Sequence, residues 1–410
     1  MLLPAKMHYS LTRATLWNLA GYFYLIVASF LSTPILLHSL GITQFSQYSL
    51  IIAGLAVASA INFGLPQAVV RSLVQTKSLS LWVTSSILFI SSGVVAGIIG
   101  TIMVSFAHVS PPILLLVFTT ALANNLVSHY LTLPQAEGHF GYFNTKTFII
   151  GTGNTLLAAY LAWIGQGIAI ILIAQLLSYL ITLLPLAYFS LKFFPHPRRG
   201  KVSLAIARSL VDFGLKNWGG KLVGQVQSQY AKYLLASLSP LTLSAYVIGQ
   251  GLVQKLVGGV VQLATAIYPA SATAKLDPSF RRLYHRLQCS LLGLGFLGVY
   301  LYHLFGFVFL SWWLHSPELV SLVDLVLNIF VWYFAILLLT PLPSTLLEGQ
   351  GHPVTASFFA FFTTFIEISL ALFLFPRYGL FAPVYGALIA LSLTTPILLI
   401  VTENVLKSSL

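Results

Sequence analysis

Twelve stretches of mostly apolar residues follow one another along the chain, at 14–37, 45–70, 81–107, 112–133, 147–164, 168–191, 212–236, 243–270, 288–310, 320–343, 354–375 and 381–402. Each is near the length a helix needs to cross a bilayer, about 20 residues. This recurrence constrains the chain more than any single motif. Only helices and closed barrels satisfy every backbone polar group in hydrocarbon. The apolar runs are too long for tilted barrel strands and lack their alternating polar pattern. Only 7% of the 410 residues are charged, against about 25% in soluble domains, so no soluble enzyme, disordered chain or nucleic-acid-binding domain fits. The expectation is an all-α polytopic membrane protein of about twelve transmembrane helices. Short connections leave no room for a soluble domain.

Lys and Arg total 20 against 8 Asp and Glu. In a membrane protein such an excess marks the cytoplasmic loops. With the N-terminus cytoplasmic, fifteen of the twenty basic residues fall on that side: Lys6, Arg13, Arg71, Lys77, Lys146, Lys192, Arg198, Arg199, Lys201, Arg208, Lys275, Arg281, Arg282, Arg286 and Lys407. The other side receives Arg377 alone, and Lys216 sits at a cytoplasmic helix end. Both termini are therefore expected in the cytoplasm. Trp17, Trp82, Trp163, Trp218, Trp312 and Trp313 fall near the expected helix ends, where amphipathic rings prefer to sit. The lone Cys289 excludes an internal disulfide, and no Cys/His cluster has zinc-site spacing. No metal or cofactor is expected.

The longest basic connection, Lys192 to Arg208, divides the chain into two groups of six spans, residues 1–197 and 198–410. The halves echo each other, as internal repeats of transporters do. Trp17-Asn18 answers Asn217-Trp218, Tyr48-Ser49-Leu50 answers Tyr246-Val247-Ile248, and Gly64-Leu65-Pro66 with Arg71 answers Ile267-Tyr268-Pro269 with Lys275. The turn Glu137-Gly138-His139 answers Glu348-Gly349-Gln350-Gly351-His352. Two six-helix lobes around a central cavity are expected.

Leu40-Gly41, Phe45-Ser46-Gln47-Tyr48-Ser49-Leu50, Asn62-Phe63-Gly64-Leu65 with Arg71, and Pro376-Arg377-Tyr378-Gly379 before a helix with Gly386-Ala387 carry a resemblance. The chain resembles the Wzx-type polysaccharide-biosynthesis flippases, lipid-linked oligosaccharide transporters of the multidrug/oligosaccharidyl-lipid/polysaccharide superfamily. Span count and lobe division extend the resemblance over nearly the whole chain. It departs at Ser46 and Asn62, where relatives usually have Gly and Asp, and lacks their acidic residue in the seventh span. No ion-coupling site is carried over. The resemblance implies flipping of polyprenyl-phosphate- or pyrophosphate-linked repeat units across the bacterial inner membrane by alternating access. It also implies polysaccharide polymerase and glycosyltransferase partners, with no nucleic acid.

The residues themselves point to an anionic passenger. An ionisable group at mid-bilayer costs about 2.5–3.5 kcal/mol on insertion scales, and so marks function by default. Lys255 and Glu367 lie near the expected midplane, and Lys221 and Lys232 lie in the seventh span. At 100° per residue, Gln225, Ser228 and Lys232 share a stripe with Lys221. Lys255, Ser244 and Gln262 share a face of the eighth span, with Gly251, Gly258 and Gly259 close by. A cationic, Gln-rich stripe with small neighbours describes the wall of a wet cavity and suits a sugar chain on a phosphate carrier. Lys221, Lys255, Lys232, Gln225, Gln262 and Arg71 are the candidate substrate-binding residues. Glu367 is the candidate for coupling to a proton or sodium gradient.

Plainer readings stand beside these. Lys232 near a helix end can snorkel, Lys255 and Glu367 can neutralise each other, and Lys221 can be an inter-lobe hydrogen-bond donor. Gly93-x-x-x-Gly97 and Gly220-x-x-x-Gly224 suit helix packing. Asn18, Asn62, Asn124 and Asn125 suit either a cavity wall or bonds between helices. The two Glu/Gly/His turns suit helix caps.

Gly214 to Lys221 fails as a phosphate loop, because Leu222 replaces the required Ser or Thr and no strand precedes it. ATP-driven transport is not expected. No Gly-x-Ser-x-Gly elbow occurs, and the expected external loops are too short for an active site. The rival readings are a multidrug or metabolite exporter of the same superfamily and, behind it, a membrane polymerase or glycosyltransferase.

Overall fold

The structure, a computed structural model, describes residues 5–194, 200–271 and 278–408. Arg198, Arg199 and Lys275, three of the cations used to set orientation, lie outside the described residues. Every regular element among the described residues is a helix. Among the described residues seven stretches are long and apolar enough to cross a membrane, and two hold two expected crossings each: Ala20–Gln75 contains most of 14–37 and all of 45–70, and Pro353–Lys407 contains 354–375 and 381–402. The expected spans 147–164, 212–236 and 243–270 are not among them. Asn217, Lys221, Gln225, Gln227, Gln229 and Lys232 make 212–236 too polar to stand out by hydropathy.

By internal contacts the chain forms two units, Met1–Gln229 and Tyr230–Leu410. The sequence places its division in the basic connection at 197/198. The contacts instead place it within a helix, because the first part of that helix packs on the first unit.

The first unit opens with α1 (Ala5–Ala60), broken at Gly41, whose φ of 73° is outside the helical range. No atom lies within 4 Å of a Cβ built there, so glycine serves the backbone conformation rather than a close approach. The expected continuous span 45–70 is a second departure. It stops at Ala60, turns through residues 61–64 and resumes as α2 (Leu65–Gln75). Asn62 builds the turn: its Oδ1 accepts from Gly64 N at 3.0 Å, and its Nδ2 donates to Ser59 O at 3.3 Å. Asn and Asp favour this local bonding over continued helix. Phe63 and Gly64 both have left-handed φ, 50° and 68°, and Pro66 near the start of α2 fits a first turn that needs no amide donor.

Then come α3 (Leu79–Ser105), α4 (Pro111–Ala136), α5 (Phe140–Thr152), a π-helical turn (Gly153–Leu157), α6 (Ala158–Trp163), α7 (Ile168–Phe193) and α8 (Leu204–Ala236). Gly93 and Gly97 let α3 approach α4. A Cβ at either would meet Leu122 at 2.8 Å or Phe118 at 2.6 Å, so this pair serves helix packing. Ser92 Oγ bonds Asn125 Oδ1 at 3.1 Å across the same interface. At Gly224, by contrast, nothing lies within 4 Å of a built Cβ.

The second unit holds the end of α8, α9 (Pro240–Ser271), α10 (Pro278–Leu314), α11 (Pro317–Leu337), α12 (Pro341–Gly349), α13 (Pro353–Tyr378), a 3-10 turn and α14 (Ala382–Ser408). Gly386 of α14 sits on α13, where a Cβ would stand 2.8 Å from the Glu367 carbonyl oxygen. Large apolar side chains face outward on α10 and α13, among them Phe296, Tyr300, Phe305, Val308, Phe358, Phe365 and Phe373. Such a surface suits lipid and would drive association in water.

The two Glu/Gly/His turns are helix C-caps of one design. Gly138 and Gly351 are left-handed, at φ 72° and 83°. His139 N donates to Pro134 O and His352 N to Leu347 O, each at 2.8 Å. This is the bonding that satisfies the last carbonyls of a helix. The Tyr48–Tyr246 echo also has matching surroundings. Both side chains are buried, Tyr48 accepting from Gln175 at 2.7 Å and Tyr246 from Gln250 at 3.4 Å.

Candidate functional site

Within the first unit, α1, α2, α4, α5, the π-helical turn and α7 enclose a cavity of about 630 Å³, a size suited to a ligand rather than to a few waters. It follows α4 from Thr120 to Gln135, fifteen residues, or about 22 Å of helix. Apolar atoms make up most of the wall, and amides and hydroxyls from several helices are set into it. Asn62 and Gln67 come from the α1–α2 region, Asn124, Ser128 and Gln135 from α4, and Gln175 and Tyr179 from α7. The π-helical turn contributes Asn154 and Thr155. One extra residue per turn rotates the side chains that follow, and such bulges recur at functional sites. Gly153 permits the bulge to lie against α7, since a Cβ there would stand 2.7 Å from Ser178 Cβ.

Among the described residues, Lys146 of α5 is the one charged residue lining the cavity. The ion pairs of the described residues are Lys77–Glu137 at 2.6 Å, Arg281–Glu403 and His285–Glu403 at 3.3 Å, and none involves Lys146. Thr120 Oγ1 is buried on the cavity wall without a hydrogen-bond partner among the described residues. Asn62 and Asn124 therefore line a cavity, whereas Asn125 ties α4 to α3.

The turn that carries Asn62 is clamped by the first part of α8. Gly64 and Gly214 touch backbone to backbone, and a Cβ on Gly64 would stand 2.7 Å from the Gly214 carbonyl carbon. Trp218 Nε1 donates to Ala60 O, and its ring lies 4.9 Å from that of Phe63. Trp218→Phe keeps a smaller aromatic ring against Phe63 and removes the donor. It is expected to lower stability by about 1 kcal/mol, read from unfolding in detergent. An unchanged midpoint would mean that the indole N–H contributes nothing.

The residues singled out from sequence fall as follows. Lys221 lies on the α8 segment of the first unit, but its side chain is outside the described residues, as is that of Gln262. Gln225, Lys232 and Lys255 are half-buried, the two lysines in the second unit. Arg71 is exposed on α2, its guanidinium 4.5 Å above the Phe213 ring, and does not line the cavity. Glu367 is buried on α13, its Oε1 accepting from Tyr230 at 3.2 Å. The sequence reading did not single out Lys146, Asn154, Gln175 or Tyr179 as site residues. Lys146 counted only as a topology signal. A polar tally over 144–155, rich in Asn, Thr and Gly inside an apolar stretch, was the available cue. Among the described residues no three His, Cys, Asp or Glu side chains gather as a metal site would require.

No family model matches the chain, and no curated protein matches it. Solved structures do. The lipid II flippase MurJ in an inward closed conformation matches with a TM-score of 0.75 at 12% identity, over 96% of this chain and 90% of that one. An inward-facing multidrug resistance MATE family transporter of the MOP superfamily matches at TM-score 0.65 and 16% identity, over 97% and 96%. A MOP superfamily transporter from Pyrococcus furiosus, described by a reverse polarity of its binding pocket that suggests a different function, matches at 0.64 and 14%, over 97% and 96%. At these identities the likeness establishes the fold. The chain is a multi-pass membrane protein with the helical fold of these transporters and flippases.

Proposed function

We propose that the protein flips lipid-linked oligosaccharide repeat units, on a polyprenyl-phosphate or pyrophosphate carrier, across the bacterial inner membrane for surface polysaccharide synthesis. Its twelve helices, with both termini cytoplasmic, work by alternating access. The observation that carries this reading is the cavity of the first unit, which presents amides and hydroxyls from several helices and, among the described residues, Lys146 as its one charged group. An exporter of organic cations is expected to line its cavity with carboxylates. This wall instead suits a passenger rich in hydroxyls and negative in charge. The ammonium groups of Lys232 and Lys255, both in the second unit, hold the carrier phosphate as point charges. Glu367 is the candidate relay for a proton or sodium gradient. The chain moves its substrate without changing covalent bonds, and it works beside a polymerase and glycosyltransferases.

The test uses purified protein in sealed vesicles, loaded in one leaflet with a polyprenyl-pyrophosphate oligosaccharide and assayed by lectin access at the other. Faster translocation of chemically unchanged substrate than in empty vesicles is expected. Ethidium efflux from the same vesicles, with no movement of the glycolipid, would overturn the reading in favour of a drug exporter.

A further inference from the structure

We infer that the cavity of the first unit is a saccharide subsite for an acidic sugar, with Lys146 binding the sugar carboxylate. The inference rests on the flippase reading and deepens it, by separating the part of the passenger seen here from the carrier phosphate. Two observations carry it. The charge is single: among the described residues Lys146 is the one cation on the wall and no carboxylate lines it, so the site neutralises one negative charge. A pyrophosphate, with about two charges, calls for more than one cation. The neutral polar groups are many and come from several helices. Asn124, Asn154 and Gln175 present amides on three different elements, as needed to bond hydroxyls on several sides of a ring.

The wall is fixed by packing rather than left to loops. Tyr48 of α1 is buried and accepts from Gln175, which sets the amide's orientation. Asn62 is held by its own turn. The ring-binding groups are thus preorganised, and a ligand need not order them on entry.

The test is binding to the full-length protein in detergent, with three soluble probes: an oligogalacturonate, its neutral methyl ester, and inorganic phosphate. The wild type is expected to bind the oligogalacturonate about tenfold more tightly than the ester, and phosphate far more weakly. Lys146→Gln should abolish the preference for the acid while leaving ester binding in place, and Lys146→Arg should retain the preference. If Lys146→Gln does not fold, Asn124→Asp places a repelling carboxylate on the same wall. It should weaken the acid probe and spare the ester. Equal binding of acid and ester by the wild type overturns the inference, as does Lys146-dependent binding of phosphate in place of the saccharide. These probes carry no lipid, so the outcome separates from that of the vesicle assay. Saccharide binding without glycolipid translocation would sink the flippase reading and keep the subsite. Translocation that Lys146→Gln leaves unchanged, with no probe binding, would do the reverse.

Discussion

Gly64→Ala is expected to destabilise the protein by about 3 kcal/mol, the sum of a left-handed backbone imposed on alanine and an overpacked contact. The φ of 68° at this position is strained for any residue with a Cβ. That Cβ would also lie 2.7 and 2.9 Å from the backbone carbon and Cα of Gly214, which cannot swing aside as a side-chain tip can. The neighbouring Phe63, at φ 50°, already holds one unfavourable conformation in the same turn. The measurement is the unfolding midpoint in detergent, with expression level as a second readout. Gly138→Ala is the control. Its φ of 72° at a helix C-cap imposes a similar left-handed strain, and a Cβ there meets no described atom within 4 Å, so it should cost about 1 kcal/mol. Equal costs at the two positions would show that the Gly64–Gly214 contact adds nothing. Because Asn62 lines the cavity from this turn, a Gly64→Ala protein that folds should also bind saccharide poorly.

The second large effect concerns transport. Replacing Lys232 and Lys255 together by Ala is expected to slow glycolipid translocation at least about tenfold, since each charge-assisted contact to a phosphate contributes more than a neutral hydrogen bond. The unfolding midpoint of the same variant is measured alongside, and an unchanged midpoint is expected, both side chains being only half-buried. Falling activity with unchanged or rising stability is the signature of residues kept for function. The Arg double variant should retain part of the activity. Unchanged translocation by the Ala variant, at equal protein level in the vesicles, would remove both lysines from the mechanism.

Much of the helical layout was legible in the sequence. The expected stretches 81–107, 168–191 and 381–402 became Leu79–Ser105, Ile168–Phe193 and Ala382–Ser408, because hydropathy and helix ends are local properties. The paired Glu/Gly/His turns were legible as caps for the same reason, glycine being the residue that accepts the left-handed position. One reading failed where locality failed. The stretch 45–70 looked continuous, yet Asn62 captures the Gly64 amide and stops the helix. Lys146 shows the limit for the site. Its position near a helix end made it a topology marker in sequence, and nothing local showed that it faces Asn124, Gln175 and Asn62, residues from three other parts of the chain.

The sequence by itself determined the solvent of this protein, the positions of its helices and the caps that end them, since each follows from composition and spacing within a few turns. The tertiary structure decided that the wall of the first unit is hollow and polar. It also decided which single cation lines that wall, and that a glycine pair sets the distance between α8 and the turn. Those features depend on which helix faces meet, and a one-dimensional pattern gives depth along a helix without naming the neighbour across it.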